Sequence, residues 1–182
     1  MARATKGTAK KKPAARAKVT GAKTGAPKRR TKPIPENYPR VSVCLRVGHA
    51  AEALQYYCDV FGGKVRMRLD MPDGRIGHSE IQIGKGLIMV SDEYPEMNMV
   101  GPITVGSVCS TIQIYVKDVD ITVAKAVKAG GKLLRPVRDE FYGDRSATLE
   151  DPFGHVWMIQ THVEDVPKAE MRKRLLKLFG AG

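Results

Sequence analysis

One order of elements is written twice in this chain, and that repeat limits the fold more than any single motif. Residues 40–47, RVSVCLRV, alternate strictly, with Val41, Val43, Leu45 and Val47 on one face and Ser42, Cys44 and Arg46 on the other, the pattern of a half-buried strand. Residues 50–61, AAEALQYYCDVF, place Ala50, Ala53, Leu54, Tyr57 and Phe61 at helical spacing, and Gly62-Gly63 stops the helix. Three strands follow: KVRMRLDM, RIGHSEIQI and GLIMVSDE, separated by the turns Pro72-Asp73-Gly74 and Gly84-Lys85-Gly86. The first half therefore reads β-α-β-β-β.

The second half repeats the order, offset by roughly 68 residues. CSTIQIYV (109–116) alternates, with Ile112, Ile114 and Val116 against Thr111, Gln113 and Tyr115. Residues 118–129 form a helix with Asp118 as N-cap, an apolar stripe of Ile121, Ala124, Val127 and their neighbours, and a stop at Gly130-Gly131. KLLRPVRD, RSATLED and HVWMIQTH complete the module. In the last strand Trp157 and Ile159 share a face with the core, leaving Val156, Met158, Gln160 and His162 on the other. The expected boundaries are module one at 38–94, a linker at 95–108, module two at 109–163 and a short basic helix at 166–179. The Pro/Gly-punctuated linker suits a crossover between modules or a flexible loop over a pocket.

Charge is confined to one end. Residues 1–34 hold 12 of the 31 Lys and Arg residues and no acid, so the remaining 148 residues balance 19 bases with 19 acids. The pI of 9.8 belongs to the tail and not to the folded part. Residues 1–37, rich in Lys, Ala and Pro, lack the apolar side chains that offset the entropy of ordering, and disorder is expected. The segment has no apolar core of a secretory signal and is a poor mitochondrial presequence. No apolar run approaches the ~20 residues that cross a bilayer. Cys44, Cys58 and Cys109 make no CxxC pair and read as reduced thiols. A cytoplasmic location is expected, at the nucleoid if the tail holds nucleic acid.

The paired modules, with CLRVGHAAEALQYYCDVFGG, GHSEIQIGKGLIMVSDE and FYGDRSATLEDPFGHVWMIQTHVED, resemble the vicinal oxygen chelate superfamily, and within it the PhnB-like, glyoxalase/bleomycin-resistance branch. The resemblance covers residues 38–172 and implies an α+β fold of paired βαβββ modules. Helices would cover one face of each sheet, and the other face would line a cavity. The residues on that open face are Arg46, His78, Glu80, Gln82, Thr111, Gln113, Tyr115, Met158 and Gln160, the expected ligand contacts.

Metal-dependent members of this superfamily hold a divalent ion with four His or Glu side chains, two per module. The resemblance carries those positions onto Ser42, Glu80, Thr111 and Met158, of which only Glu80 is a competent ligand for such an ion. No cofactor is therefore expected, and a divalent metal is disfavoured. The expected function is metal-independent binding of a small molecule, as in sequestration or resistance proteins. The alternative is an enzyme of the superfamily, a glyoxalase-type lyase, isomerase or dioxygenase, with His78 or Glu80 moving a proton. Blander readings stand beside these. His78 and Glu80 form a surface pair, Arg46 neutralises Glu80, His155 fixes its turn, His162 is solvated at a strand end and His49 starts a helix. Cys44 as a nucleophile lacks any neighbour in sequence to lower its pKa.

A homodimer is expected, because open module edges need cover. A third reading makes the protein nucleic-acid-associated: Lys10, Lys11, Lys12, Arg16, Lys18, Lys28, Arg29 and Arg30 would bind DNA or RNA non-specifically. The bland counterpart is a solubilising extension.

Overall fold

The computed structural model describes residues 31–180. The disorder expected of the tail falls largely on residues 1–30, outside the described residues, as do Lys10 to Arg30 of the nucleic-acid reading. Residues 37 onward make one compact unit. Residues 31–36 belong to a separate unit, in which Lys32 pairs with Glu36.

The two modules are present as expected. Module one runs β1 (Val43–Val47), α1 (Ala50–Phe61), β2 (Lys64–Asp70), β3 (Ile76–Ile83) and β4 (Gly86–Asp92). Module two runs β5 (Thr111–Tyr115), α3 (Val119–Lys128), β6 (Lys132–Asp139), β7 (Asp144–Glu150) and β8 (Val156–His162). Each folds a four-stranded sheet, in the orders β1-β4-β3-β2 and β5-β8-β7-β6. In both, the first strand lies parallel to the last and the other pairings are antiparallel. The register is the same in both: Val43 faces Ile88, and Thr111 faces Val156 at an equal separation.

Local chemistry accounts for the element ends. Gly62 takes a left-handed φ of 68°, its N–H donates to Cys58 O, and the Gly63 N–H donates to Tyr57 O, closing α1. At the other end His49 holds the N-cap position without a side-chain cap, and the Ala50 N–H instead donates to Asp92 Oδ1 at 2.8 Å. Asp118 caps α3 as expected, accepting from Ile121 N at 2.9 Å. Pro136 sits in β6, an edge strand, where its missing N–H is tolerated.

Three expectations are corrected. The first strand starts at Val43, not at residue 40: its ladder to β4 opens with Val43 opposite Ile88, and residues 40–42 lie outside it. Val41 is accordingly 84% exposed and not covered by a helix. The buried stripe of α3 is Val119, Val123 and Ala126; Ile121 and Val127 face outward. The linker is ordered, with a 3-10 turn (Pro95–Met97) and a single helical turn, α2 (Pro102–Val105). Glu93 holds that segment, accepting from the Gly101 N–H and from Thr104 Oγ1. The terminal helix, α4, spans Lys168–Leu178 with Pro167 at its N-cap.

The core lies where α1 and α3 cover the sheets. Trp157, Tyr57, Leu149, Ile159 and Ile81 are fully buried. Phe61 packs on Trp157 with ring centroids 4.5 Å apart, and Tyr57 stacks on Phe61 at 6.1 Å. Asp151, opening the DPFGH turn, is buried at the centre of this cluster. Its Oδ2 accepts from Tyr57 OH and Trp157 Nε1, both at 2.8 Å, and its Oδ1 from the N–H groups of Phe153 and His155. Four donors satisfy a carboxylate that would otherwise be costly to bury. His155 is buried too, and its Nε2 lies 3.1 Å from Arg46 O, tying the module-two turn to the first strand of module one. The turn itself is held by Asp151, and the His155 side chain bridges the modules.

Candidate functional site

The strand faces away from α1 and α3 carry the chemistry. Residues directly opposite one another on paired strands share a face, so the ladders define the rows. In module one, Cys44 (β1), Met89 (β4), Glu80 (β3) and Met67 (β2) form one row, and Arg46 lies beside Ser91. In module two, Gln113 (β5), Met158 (β8), Thr148 (β7) and Arg135 (β6) form one row, and Tyr115, Gln160, Ser146 and Arg138 the next. The expected ligand contacts thus divide between two sheets: Arg46, His78, Glu80 and Gln82 on one, and Thr111, Gln113, Tyr115, Met158 and Gln160 on the other.

Glu80 is not an open anion. It is 2% exposed, Tyr38 OH donates to its Oε1 at 2.6 Å, and His78 Nε2 lies 3.4 Å away. The Tyr38 hydrogen bond, above all, holds the Glu80 carboxyl below its ordinary range, with His78 and Arg66 adding to the effect. Arg66 stacks over the Tyr38 ring at 5.4 Å and donates to Asn37 O, so residues 37 and 38 lie over this part of the sheet. Arg46 does not neutralise Glu80, because its guanidinium donates to Ser91 Oγ at 2.9 Å. Gln82 donates to Gly84 O in the hairpin. Cys44 Sγ sits 3.5 Å from Met89 Sδ, its neighbour across the parallel ladder.

In module two a carboxylate that the sequence reading passed over is the organiser. Asp144 is 3% exposed. Its Oδ2 accepts from Tyr115 OH at 2.7 Å and from Gln160 Nε2 at 3.0 Å, and its Oδ1 meets His162 Nδ1 at 2.6 Å. His162 Nε2 reaches Asp165 at 3.0 Å. The imidazole is therefore not simply solvated; the Asp144 bond, then the Asp165 bond, raise its pKa above the ordinary value. Gln160 Oε1 is buried without a hydrogen-bond partner among the described residues. A small cavity of about 160 Å³ opens on this face, lined by Arg135, Tyr142, Ser146, Thr148 and Met158 among others.

The ladders also correct one ligand position. In each module the last strand meets the first at a residue two beyond the first-strand ligand position, Cys44 after Ser42 and Gln113 after Thr111. Met89 faces Cys44, and Met158 faces Gln113. The module-one counterpart of Met158 is therefore Met89, not Glu80, which stands on the neighbouring strand where module two has Thr148. The repeat-related set becomes Ser42, Met89, Thr111 and Met158, with no carboxylate or imidazole in it. Among the described residues no group of three or more His, Cys, Asp or Glu side chains is arranged to hold a metal ion. The residues present do not fit a hard divalent cation.

Known proteins are similar to this chain. A family model for the glyoxalase/bleomycin resistance protein/dioxygenase superfamily matches residues 40–159. The chain is 31% identical over 137 residues to the uncharacterized protein Rv0887c of Mycobacterium tuberculosis, covering 74% of this chain and 81% of that protein. It is 29% identical over 119 residues to a protein named probable lactoylglutathione lyase in Synechocystis, covering 64% and 91%. Among solved structures it is similar to TioX from Micromonospora, with a TM-score of 0.53 and 27% identity over 67% of this chain and 97% of that one. With its paired βαβββ modules and its match over most of the folded unit, the chain belongs to the glyoxalase/bleomycin resistance protein/dioxygenase superfamily.

Proposed function

We propose that this protein binds a small organic molecule on the open faces of its sheets without the help of a hard divalent metal. One observation carries the reading: the repeat-related positions Ser42, Met89, Thr111 and Met158 offer two hydroxyls and two thioethers. Hydroxyls bind such ions weakly, and thioethers prefer soft ones. The same faces present donors and apolar surface suited to an organic ligand, with Tyr115 and Gln113 exposed and Met158 half-buried. Sequestration needs nothing more than such a surface. The test is elemental analysis after gentle purification, paired with binding measurements before and after chelation. Metal well below one equivalent and chelator-indifferent binding are expected. One tightly held Zn, Ni, Fe or Mn per chain would overturn the reading.

A catalytic role is the second reading, favoured by the likeness to a protein named as a lyase and by the His78–Glu80 pair. In this chain Glu80 is held as a carboxylate and shielded by Tyr38, so it acts as a base only after Tyr38 withdraws.

A further inference from the structure

We infer that the rim of module two, between β6 and α4, binds an anionic molecule with an apolar body. The inference rests on the reading that the open face of module two takes small organic ligands, and it names their class. Two cavities meet there. The smaller one lies over Met158 and Thr148, and the larger, of about 850 Å³, runs between the end of β6 and α4. They share Arg138 and Glu140 in their linings, so they adjoin across that ion pair.

The wall formed by α4 is anchored. Arg174 makes a two-pronged bond to Glu164, with both contacts at 2.7 Å, and a third to Glu170 at 3.2 Å. Opposite it, Phe141 packs edge-on against Tyr142 with centroids 5.1 Å apart. Between these walls Leu178 is 63% and Phe179 79% exposed, an apolar floor that no other described residue covers.

The charges along this trough are unequal in their freedom. Its acids are committed: Asp139 pairs with Arg145 at 2.9 Å, and Glu140 with Arg138 at 2.8 Å. Arg138 and Arg174 are committed in turn. Arg135, in the smaller cavity, and Lys177, in the larger, have no hydrogen-bond or ion-pair partner among the described residues. Thr148 adds a hydroxyl beside Arg135. The unpaired charge is thus positive in both adjoining cavities, and in the larger one it lies beside the apolar side chains of Phe141, Leu178 and Phe179. A carboxylate or phosphate on an aromatic or aliphatic body complements that pattern, whereas a cationic or purely polar molecule does not.

The probe is 2-naphthoate, with 2-naphthamide as its uncharged isostere, titrated into the full-length protein and followed by backbone amide shifts. Naphthoate is expected to move amides in 135–142 and 174–179 and to bind at least about tenfold more tightly than the amide. Arg135→Gln and Lys177→Gln, both at exposed positions, should each weaken naphthoate severalfold, leave naphthamide unchanged and preserve the amide spectrum. Equal binding of both probes at this rim would overturn the anionic assignment and leave small-molecule binding standing. Naphthoate shifts confined to 78–91 would overturn the location alone. Shifts on neither sheet at millimolar probe would overturn this inference together with the reading beneath it. Shifts in α4 that follow protein concentration rather than probe would show a second copy covering the rim, and would also overturn it.

Discussion

Tyr38 donates a 2.6 Å hydrogen bond to Glu80, a residue 42 positions away that it shields from solvent. This contact sets both the charge and the availability of the acid on the module-one face. Tyr38→Phe removes the largest cause of the depressed Glu80 pKa, so that pKa should rise toward the ordinary carboxylate range. A depressed folded pKa contributes stability that is present above the unfolded value and lost as pH falls through the folded one. The acid limb of the stability curve should therefore flatten in Tyr38→Phe. Carboxyl NMR titration checks the pKa, and urea unfolding between pH 3 and 7 checks the limb. An unchanged Glu80 titration would reject Tyr38 as its holder.

Asp151 joins the modules through Tyr57. Its carboxylate takes four donors, so Asp151→Asn would turn an N–H group toward at least one buried N–H. A loss of about 2–4 kcal/mol is expected in denaturant unfolding. Tyr57→Phe removes only one of the four bonds and should lose about 1 kcal/mol. If both variants lost equal amounts, the carboxylate would not be the centre of the knot.

The repeat and both helices were legible in the sequence because alternation and helical spacing report directly on which side chains are buried. The open faces were legible for the same reason: Glu80, Tyr115, Met158 and Gln160 all lie opposite the core. What periodicity does not carry is pairing across strands. The positions carried over from the resemblance therefore had Glu80 in place of Met89 as the counterpart of Met158, and the ladders correct it. Asp144 and Tyr38 were invisible for a related reason. Asp144 begins a strand at a turn, where acids are ordinary, and Tyr38 precedes the first strand, so neither stands out until Tyr115, His162 and Glu80 are brought to them.

His162 should titrate above an ordinary histidine, because Asp144 and then Asp165 favour its charged form. A raised folded pKa contributes stability that is fully present below the unfolded value near ~6.5 and is lost as pH rises through the folded value. Asp144→Asn should bring the His162 pKa back toward 6.5, the value from which it is raised. Histidine NMR reads this directly, and a wild-type value at or below that reference would refute the Asp144 contact.

Pairing of two copies would cover the exposed apolar side chains Met67 and Leu69 of β2 and Met71 just after it. Light scattering at tens of micromolar should give twice the chain mass of 20.0 kDa. Leu69→Glu with Met71→Glu should return the monomer mass, since like charges would then be set against each other. A wild-type monomer at that concentration would exclude the pairing.

The tail poses a separable question, since its 12 cations are matched by no acid while the rest of the chain is formally neutral. If it binds nucleic acid, it does so by neutralising phosphates and releasing counterions, so affinity should ignore sequence and fall steeply with salt. Each phosphate contacted adds about 0.9 to the log–log salt slope on duplex DNA. Residues 1–34 contain no aromatic side chain to stack on bases, so duplex and single strand should bind comparably. Removing residues 1–34 should abolish retention on DNA and RNA at low salt and leave binding of 2-naphthoate unchanged. Equal retention by both forms, or an affinity indifferent to salt between 50 and 200 mM, would show the tail to be a solubilising extension.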